Sequence, residues 1–338
     1  MIREAIEILI SGRSLSLEQA AAVMEEITGG TATPAQFGAF VTALRLKGES
    51  VDEIAGMAKV MREKAVHVTY AQPVVDTCGT GGDSQNTFNV STAAAFVGAA
   101  AGLKVAKHGN RAMTSRCGSA DVLEALGVKI DLTAEQVSEC LEEVGIGFMF
   151  APAFHPAMKY AAGLRREVGI RTIFNILGPL TNPAGADSQV VGVPDVAAAL
   201  KLAQALQKLG SRHALVVHGE DGMDEVSVTA HTTVCELVGG NITKFRIAPE
   251  FFGLSRAHHD SLRGGSAAGN ADILRKVFQG EKGPRRDVVL LNSAAVLLAG
   301  DKAGNLKEGI ELAREALDSG KALEKMERLA AFTRRYVH

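Results

Sequence analysis

The stretch Pro73-Val74-Val75-Asp76-Thr77-Cys78-Gly79-Thr80-Gly81-Gly82-Asp83-Ser84-Gln85-Asn86-Thr87-Phe88-Asn89-Val90-Ser91-Thr92 changes character twice within twenty residues. Pro73 to Thr77 is a short β-branched run, a glycine cluster follows at once, and an alanine-rich helix is predicted from about Ser91. Strand, loop, helix is the repeating unit of an α/β layer architecture. The alternation continues downstream with a strand at Leu103 to Ala106, a helix at Ser119 to Leu126, a helix opened by a Thr133/Gln136 capping box, and a strand near Ile146 to Phe150. Helices are predicted at His155 to Glu167 and Val196 to Leu209, and an apolar strand at His213 to His218. Short strands are expected between Val226 and Ile247, and helices from Ser266 to the end. Ile170 to Gly192, rich in Gly, Pro and Asn, reads as a loop or a connection between lobes.

Upstream, the first 65 residues read as helices only. Ser16 with Gln19 and Ser50 with Glu53 fit capping boxes, and Thr33-Pro34 opens a third helix through about Leu46. The whole chain has 338 residues, 46% hydrophobic and 22% charged, which excludes disordered, collagenous and coiled-coil proteins and suggests about two domains. Glycine is in excess at 36 residues, so many tight turns or close approaches of backbone to ligand are expected, which favours a small-molecule enzyme. The net charge of −2 lacks the positive field that nonspecific nucleic-acid binding relies on. Arg3, Glu4 and Glu7 interrupt the N-terminal apolar stretch, which argues against a signal peptide and for the cytoplasm. The longest apolar runs are too short and too polar to span a membrane. Cys78, Cys117, Cys140 and Cys235 have no paired spacing and read as reduced thiols.

Four constellations carry candidate chemistry. In Gly79-Thr80-Gly81-Gly82-Asp83, exposed backbone N–H groups and missing Cβ atoms suit phosphate, although a plain tight turn reads equally well. It is neither a Walker A loop nor the dinucleotide fingerprint, since Ser84 stands where the third glycine would. Asn89-Val90-Ser91-Thr92 puts an amide and two hydroxyls at a helix N-terminus, either as a phosphate seat or as ordinary capping. Lys107-His108-Gly109-Asn110-Arg111-Ala112-Met113-Thr114-Ser115, closing with Gly118-Ser119-Ala120-Asp121, follows a strand and precedes a helix, and so could wrap anionic oxygen. His108 by itself reads as structural, since nothing in the sequence identifies a partner. Asp224-Glu225, after an apolar strand, suits Mg2+ if it faces phosphates and is otherwise an exposed acidic turn, to which Glu220 and Asp221 are left. Arg165-Arg166 offers a fork for a carboxylate or a surface helix charge. His231, His258 and His259 have no metal-ligand spacing with an acidic partner.

In order and spacing these motifs, with Leu177-Gly178-Pro179-Leu180-Thr181-Asn182-Pro183 and the run from Gly283 to Asn292, closely resemble the anthranilate phosphoribosyltransferase family over nearly the whole chain. The resemblance implies an α/β fold of the nucleoside phosphorylase and phosphoribosyltransferase kind, with a small all-helical N-terminal domain and a larger domain around a central, mostly parallel sheet. The helical domain would be residues 1–70, completed by helices from about 165–190, with 71–338 as the α/β domain. It implies a homodimer through the helical lobe, and transfer of phosphoribose from 5-phosphoribosyl 1-diphosphate to the amine of anthranilate in tryptophan biosynthesis.

Carried onto this sequence, the family's donor contacts fall on Gly79, Gly82, Asp83, Thr87, Asn89, Val90, Ser91, Thr92, Lys107, His108, Gly109, Asn110, Arg111, Ala112, Met113, Thr114, Ser115 and Ser119. Gly79, Asn110 and Arg165 would hold anthranilate, with Arg165 on its carboxylate. Ser91, Asp224 and Glu225 would hold two Mg2+ ions per monomer, and Lys107 with the acidic pair would be catalytic. Thr114, Arg116 and Cys117 stand where family members often have serine or lysine. A pyrimidine nucleoside phosphorylase shares the Lys-His-Gly-Asn run but is usually longer, and Asp224-Glu225 favours a pyrophosphate substrate. A noncatalytic nucleic-acid-binding relative should be basic and lack the acidic pair.

Overall fold

The computed structural model describes residues 1–81, 85–112 and 116–336. Its first four helices are α1 (Ile2–Ile10), α2 (Leu17–Thr28), α3 (Pro34–Lys47) and α4 (Val51–Glu63). Ser16 and Gln19, Thr33 and Gln36, and Ser50 and Glu53 each exchange the two capping-box hydrogen bonds. Glu53 does more than cap. Fully buried, it also accepts from the Leu15 amide and from Nζ of Lys47, both at 2.9 Å, and so ties the start of α4 to α3 and the loop before α2.

The rest of the chain alternates. After β1 (Val75–Gly79) come α5 (Val90–Ala100), β2 (Val105–Gly109), α6 (Ser119–Ala125), α7 (Ala134–Glu143), β3 (Ile146–Phe150), α8 (Ala151–Phe154), α9 (Lys159–Val168), α10 (Phe174–Leu177), β4 (Ser188–Gly192), α11 (Val196–Lys208) and β5 (His213–Gly219). An antiparallel hairpin follows, β6 (Thr232–Val238) and β7 (Asn241–Ile247), turning at Gly239-Gly240 with φ 55° and 77°. Four helices complete the chain: α12 (Ala267–Phe278), α13 (Pro284–Ala299), α14 (Leu306–Asp318) and α15 (Lys321–Thr333). The seven strands lie in the order β3-β2-β1-β4-β5-β6-β7, parallel from β3 to β5 and antiparallel through β6 and β7. Two cores flank the sheet. One packs α5 and α13 on one face, and the other joins Val191, Val216 and Cys235 on the opposite face to α11 and the interior of α1–α4. Ala161 of α9 and Phe174 and Leu177 of α10 belong to this second core. No helix among the described residues is long and apolar enough to cross a membrane.

Several boundaries differ from the sequence reading. β1 and β2 run on to Gly79 and Gly109, so Lys107 and His108 are strand residues rather than loop residues. Their polarity conceals the strand, but each is buried with a hydrogen-bond partner. Ile170 to Gly192 is not all connection, because its end forms the central strand β4. Ser188-Gln189-Val190-Val191-Gly192 gave no strand signal, since it opens on two buried polar residues and closes on glycine. The helix expected from His155 starts at Lys159, after a 3-10 turn at Pro156–Met158. Val226 to Ala230 is irregular, and the strands begin at Thr232.

Candidate active site

The strand order reverses direction between β1 and β4, the place where an open α/β sheet leaves a crevice at its carboxyl edge. Gly79 and Gly192 end those two strands in register. Over them lies Asp224: a Cβ on Gly79 would run into its Oδ2, and one on Gly192 into its carbonyl oxygen. Both positions therefore require glycine for the acidic segment to close on the sheet. Oδ2 of Asp224 accepts the Gly81 amide at 2.8 Å, and Oε1 of Glu225 accepts the Ser91 amide at 3.1 Å. The acidic pair is thus no exposed turn, and the two carboxylates hold the glycine loop and the first turn of α5 together. An anion there meets the positive end of the helix.

Lys107 enters the same place from β2. Its ammonium donates to the Thr77 carbonyl at 2.5 Å and lies 3.5 Å from Oγ of Ser91, and the residue is buried. Asn89 sits at the N-cap of α5 without capping it. Its side chain donates to the Cys117 carbonyl at 3.2 Å and accepts from Nδ2 of Asn270 at 2.8 Å, which links α5 to the loop before α6 and to α12. Val90 and Thr92 are buried, and Thr92 Oγ1 has no partner among the described residues. Thr87 pairs with Arg263 in an isolated bridge.

Along the second loop, Gly109 lies against Ser119, whose hydroxyl is 3.3 Å from the Asn110 carbonyl. Asp121 organises this segment by accepting the Ala112 and Gly118 amides at 2.9 and 2.8 Å. Burial raises its pKa, yet those bonds and Arg111 together hold the carboxyl below its ordinary value. Arg111 is committed to Asp121 and Glu124, so its charge is not free. Gly82, Asp83, Met113, Thr114 and Ser115 lie outside the described residues.

Arg165 and Arg166 separate clearly. Arg166 is exposed, whereas the Arg165 guanidinium is half-buried over Phe174, 5.3 Å from the ring centroid, and forms no ion pair among the described residues. Beside the sheet, the His108 and His155 rings pack against each other, tilted by 54° with centroids 5.0 Å apart. Burial pushes His108 down to about 4 and His155 down to about 3. Asp76, given no role in the sequence reading, is fully buried and accepts from the Thr77 and His108 amides and from Nδ2 of Asn182 at 2.8 Å. Burial raises its carboxyl despite Lys107 nearby. A carboxylate inside an apolar strand was the available signal for it.

Two carboxylates and a hydroxyl form a hard-oxygen donor set that fits Mg2+, which takes one or two carboxylates and leaves its other positions to water and phosphate, and the adjoining helix N-terminus favours the phosphate. Among the described residues no group of three or more His, Cys, Asp or Glu side chains could hold a metal ion by itself.

Residues 71–323 match the glycosyl transferase family, a/b domain, and residues 3–65 match the glycosyl transferase family, helical bundle domain. Anthranilate phosphoribosyltransferase of Chloroflexus aggregans is 59% identical over 98% of both chains, and that of Dehalococcoides mccartyi 57% over 97% of both. This chain belongs to the anthranilate phosphoribosyltransferase family. The solved anthranilate phosphoribosyltransferase of Thermus thermophilus has a TM-score of 0.92 at 47% identity, covering 98% of this chain and 99% of its own. The Saccharomyces cerevisiae anthranilate phosphoribosyltransferase, in complex with PRPP and Mg, has a TM-score of 0.89 at 31% identity, covering 99% of this chain and 98% of its own. Within the anthranilate phosphoribosyltransferase fold, Gly192, Asp76 and Asn270 build the site although the sequence reading gave them no role, and Asn182 entered it only as part of the Leu177 to Pro183 motif. Gly192 had only its residue type to offer, since its need for glycine comes from Asp224, thirty-two positions away in the chain.

Proposed function

We infer that the chain transfers the phosphoribosyl group of 5-phosphoribosyl 1-diphosphate to the amine of anthranilate, giving N-(5-phosphoribosyl)anthranilate and pyrophosphate in tryptophan biosynthesis. The observation that carries this is the closure of Asp224 and Glu225 over the Gly79/Gly192 strand ends and onto the N-terminus of α5. An acidic pair bonded to two phosphate-type backbone loops suits a metal-bridged pyrophosphate better than inorganic phosphate.

Gly79, Asn89, Ser91, Lys107 and Ser119, with Thr87, Val90, Thr92, His108, Gly109, Asn110, Arg111 and Ala112 around them, would form the donor site. Ser91, Asp224 and Glu225 would hold Mg2+, two ions in this reading, and bound Mg2+ supplies charge neutralisation for the departing pyrophosphate. Lys107, fixed by Thr77, adds a positive charge that needs no reorganisation as that charge develops. Gly79, Asn110 and Arg165 would orient anthranilate so that its amine meets C1 of an oxocarbenium-like ribose. No side chain serves as the nucleophile, and positioning two substrates provides much of the acceleration. The helical lobe, residues 1–70 with the helices between β3 and β4, would move against the α/β domain as the cleft closes. We also propose a cytoplasmic homodimer, which the four free cysteines and the apolar side chains exposed on the lobe support.

Anthranilate is fluorescent, so the test is its signal in the presence of protein, 5-phosphoribosyl 1-diphosphate and Mg2+. Loss that requires all components is expected. No loss from folded protein, together with phosphorolysis of thymidine, would move the assignment to a nucleoside phosphorylase.

A further inference from the structure

The acidic segment has an unusual backbone environment. Met223 to Val228 is buried but belongs to no helix or strand, so its N–H and C=O groups need partners that no ladder supplies. Helix α13 supplies those of Val226 with one side chain. Oδ1 of Asn292 accepts the Val226 amide at 2.9 Å, and Nδ2 donates to the Val226 carbonyl at 2.9 Å and to the Val288 carbonyl at 2.8 Å. Asn292 is 1% exposed on a helix whose neighbouring side chains, Val289, Leu291 and Ala295, are apolar. An uncompensated amide there would cost stability, but here both of its hydrogens and its oxygen are used.

We propose that Asn292 is a positioning residue for phosphoribosyl transfer, setting the direction of the Asp224 and Glu225 carboxylates through the backbone of Val226. The Val226 amide belongs to the peptide that follows Glu225, and the Val226 carbonyl belongs to the next one. Gripping both fixes two consecutive peptide planes beside the acidic pair. From the other side Asp221 accepts from Oγ of Ser227 at 2.6 Å, from the Thr229 hydroxyl and from the Met223 amide. The pair is therefore held between a turn carboxylate and a rigid helix. Slack at Val226 would swing both carboxylates away from Gly81 and Ser91. This inference rests on the phosphoribosyl-transfer reading and adds a residue that touches neither substrate.

The test is calorimetric binding of 5-phosphoribosyl 1-diphosphate at increasing Mg2+, without anthranilate, so that turnover plays no part. Asn292→Asp keeps the size and the acceptor but turns the donor toward two carbonyls into an acceptor, and Asn292→Ser shortens the reach. Both should raise the Mg2+ concentration for half-maximal donor binding at least tenfold, as supporting residues of metal sites do, with KM for anthranilate unchanged within about twofold. Val296→Ala, a core change further along α13, should lower the thermal midpoint and leave the Mg2+ requirement alone. An unchanged Mg2+ requirement in the Asn292 variants, or an equal rise in Val296→Ala, would overturn the proposal.

Wild-type protein gives a reading that does not depend on the variants folding. Without Mg2+ the Val226 amide should exchange with solvent as slowly as the amides in the middle of α13, and exchange as fast as an open loop would overturn the clamp. Wild-type protein that bound no donor at any Mg2+ concentration would instead reject the functional reading beneath it.

Discussion

Arg165 shows how much one side chain can say once its surroundings are known. A half-buried guanidinium over Phe174, with no counter-charge among the described residues, has paid for desolvation without pairing. Burial lowers its pKa from the ordinary value, yet arginine stays charged in proteins. A planar carboxylate, as proposed for anthranilate, would offset this cost through a bidentate bond worth about 1.5–3 kcal/mol. Arg165→Ala should therefore raise KM for anthranilate roughly 10- to 100-fold and leave that for the donor within a few-fold. Arg165→Lys should recover part of the loss, since an ammonium lacks the fork. Arg166→Ala, on the exposed neighbour, should be silent. Steady-state kinetics with each substrate varied in turn would decide, and equal loss for donor and acceptor would reject the carboxylate role. In the sequence these two arginines are indistinguishable, because the ring that selects one of them lies nine residues beyond it, past the break that ends α9.

Between elements, the most telling contact is the polar layer where β1 and β2 meet the α8–α10 region. His108 of β2 packs at a tilt against His155, which follows α8, and Nδ1 of His108 faces the Gly178 carbonyl at 3.3 Å. In the folded state the two rings are pushed down to about 4 and about 3, whereas in the unfolded chain both take up protons near 6.5. Between pH 6.5 and 4 the unfolded state thus binds more protons, so stability falls as pH falls. At pH 4 the loss is of the order of 3 kcal/mol per histidine. Thermal unfolding across that window should show a steep decline, and His155→Asn should flatten it. A midpoint that stayed level from pH 6.5 to 4 would mean that neither ring is buried neutral.

Helix starts were legible in the sequence at this scale, and one central strand was not. Ser16–Gln19, Ser50–Glu53 and Thr133–Gln136 formed the expected capping boxes because capping is local. β4 was illegible because Ser188 and Gln189 are polar and buried, and only its place between β1 and β5 makes it a strand.

For the whole molecule, the order of the phosphate-type motifs along the chain was legible, but their meeting point was not. Gly79, Ser91, Lys107 and Asp224 converge because the strand order reverses between β1 and β4, and no local pattern encodes a strand order. Association is likewise a property of the assembled surface. Ile10 and Leu46 lie at the ends of the packed helices α1 and α3, 65% and 83% exposed; Tyr160 is in the first turn of α9 and Ile170 follows it, and α9 packs on α2 and α3. In the proposed dimer a second copy would cover these side chains, and burying them would stabilise by roughly 25 cal/mol per Å2. Sedimentation velocity at micromolar concentration should report twice the chain mass. Because the contact is apolar, raised salt should leave that mass unchanged. Leu46→Glu places a charge in the contact while removing nothing from the lobe's own core, so it should yield a folded monomer with unaltered helix content. A wild-type monomer at tens of micromolar, or a Leu46→Glu protein that still sedimented as a dimer, would place the association surface elsewhere or remove it.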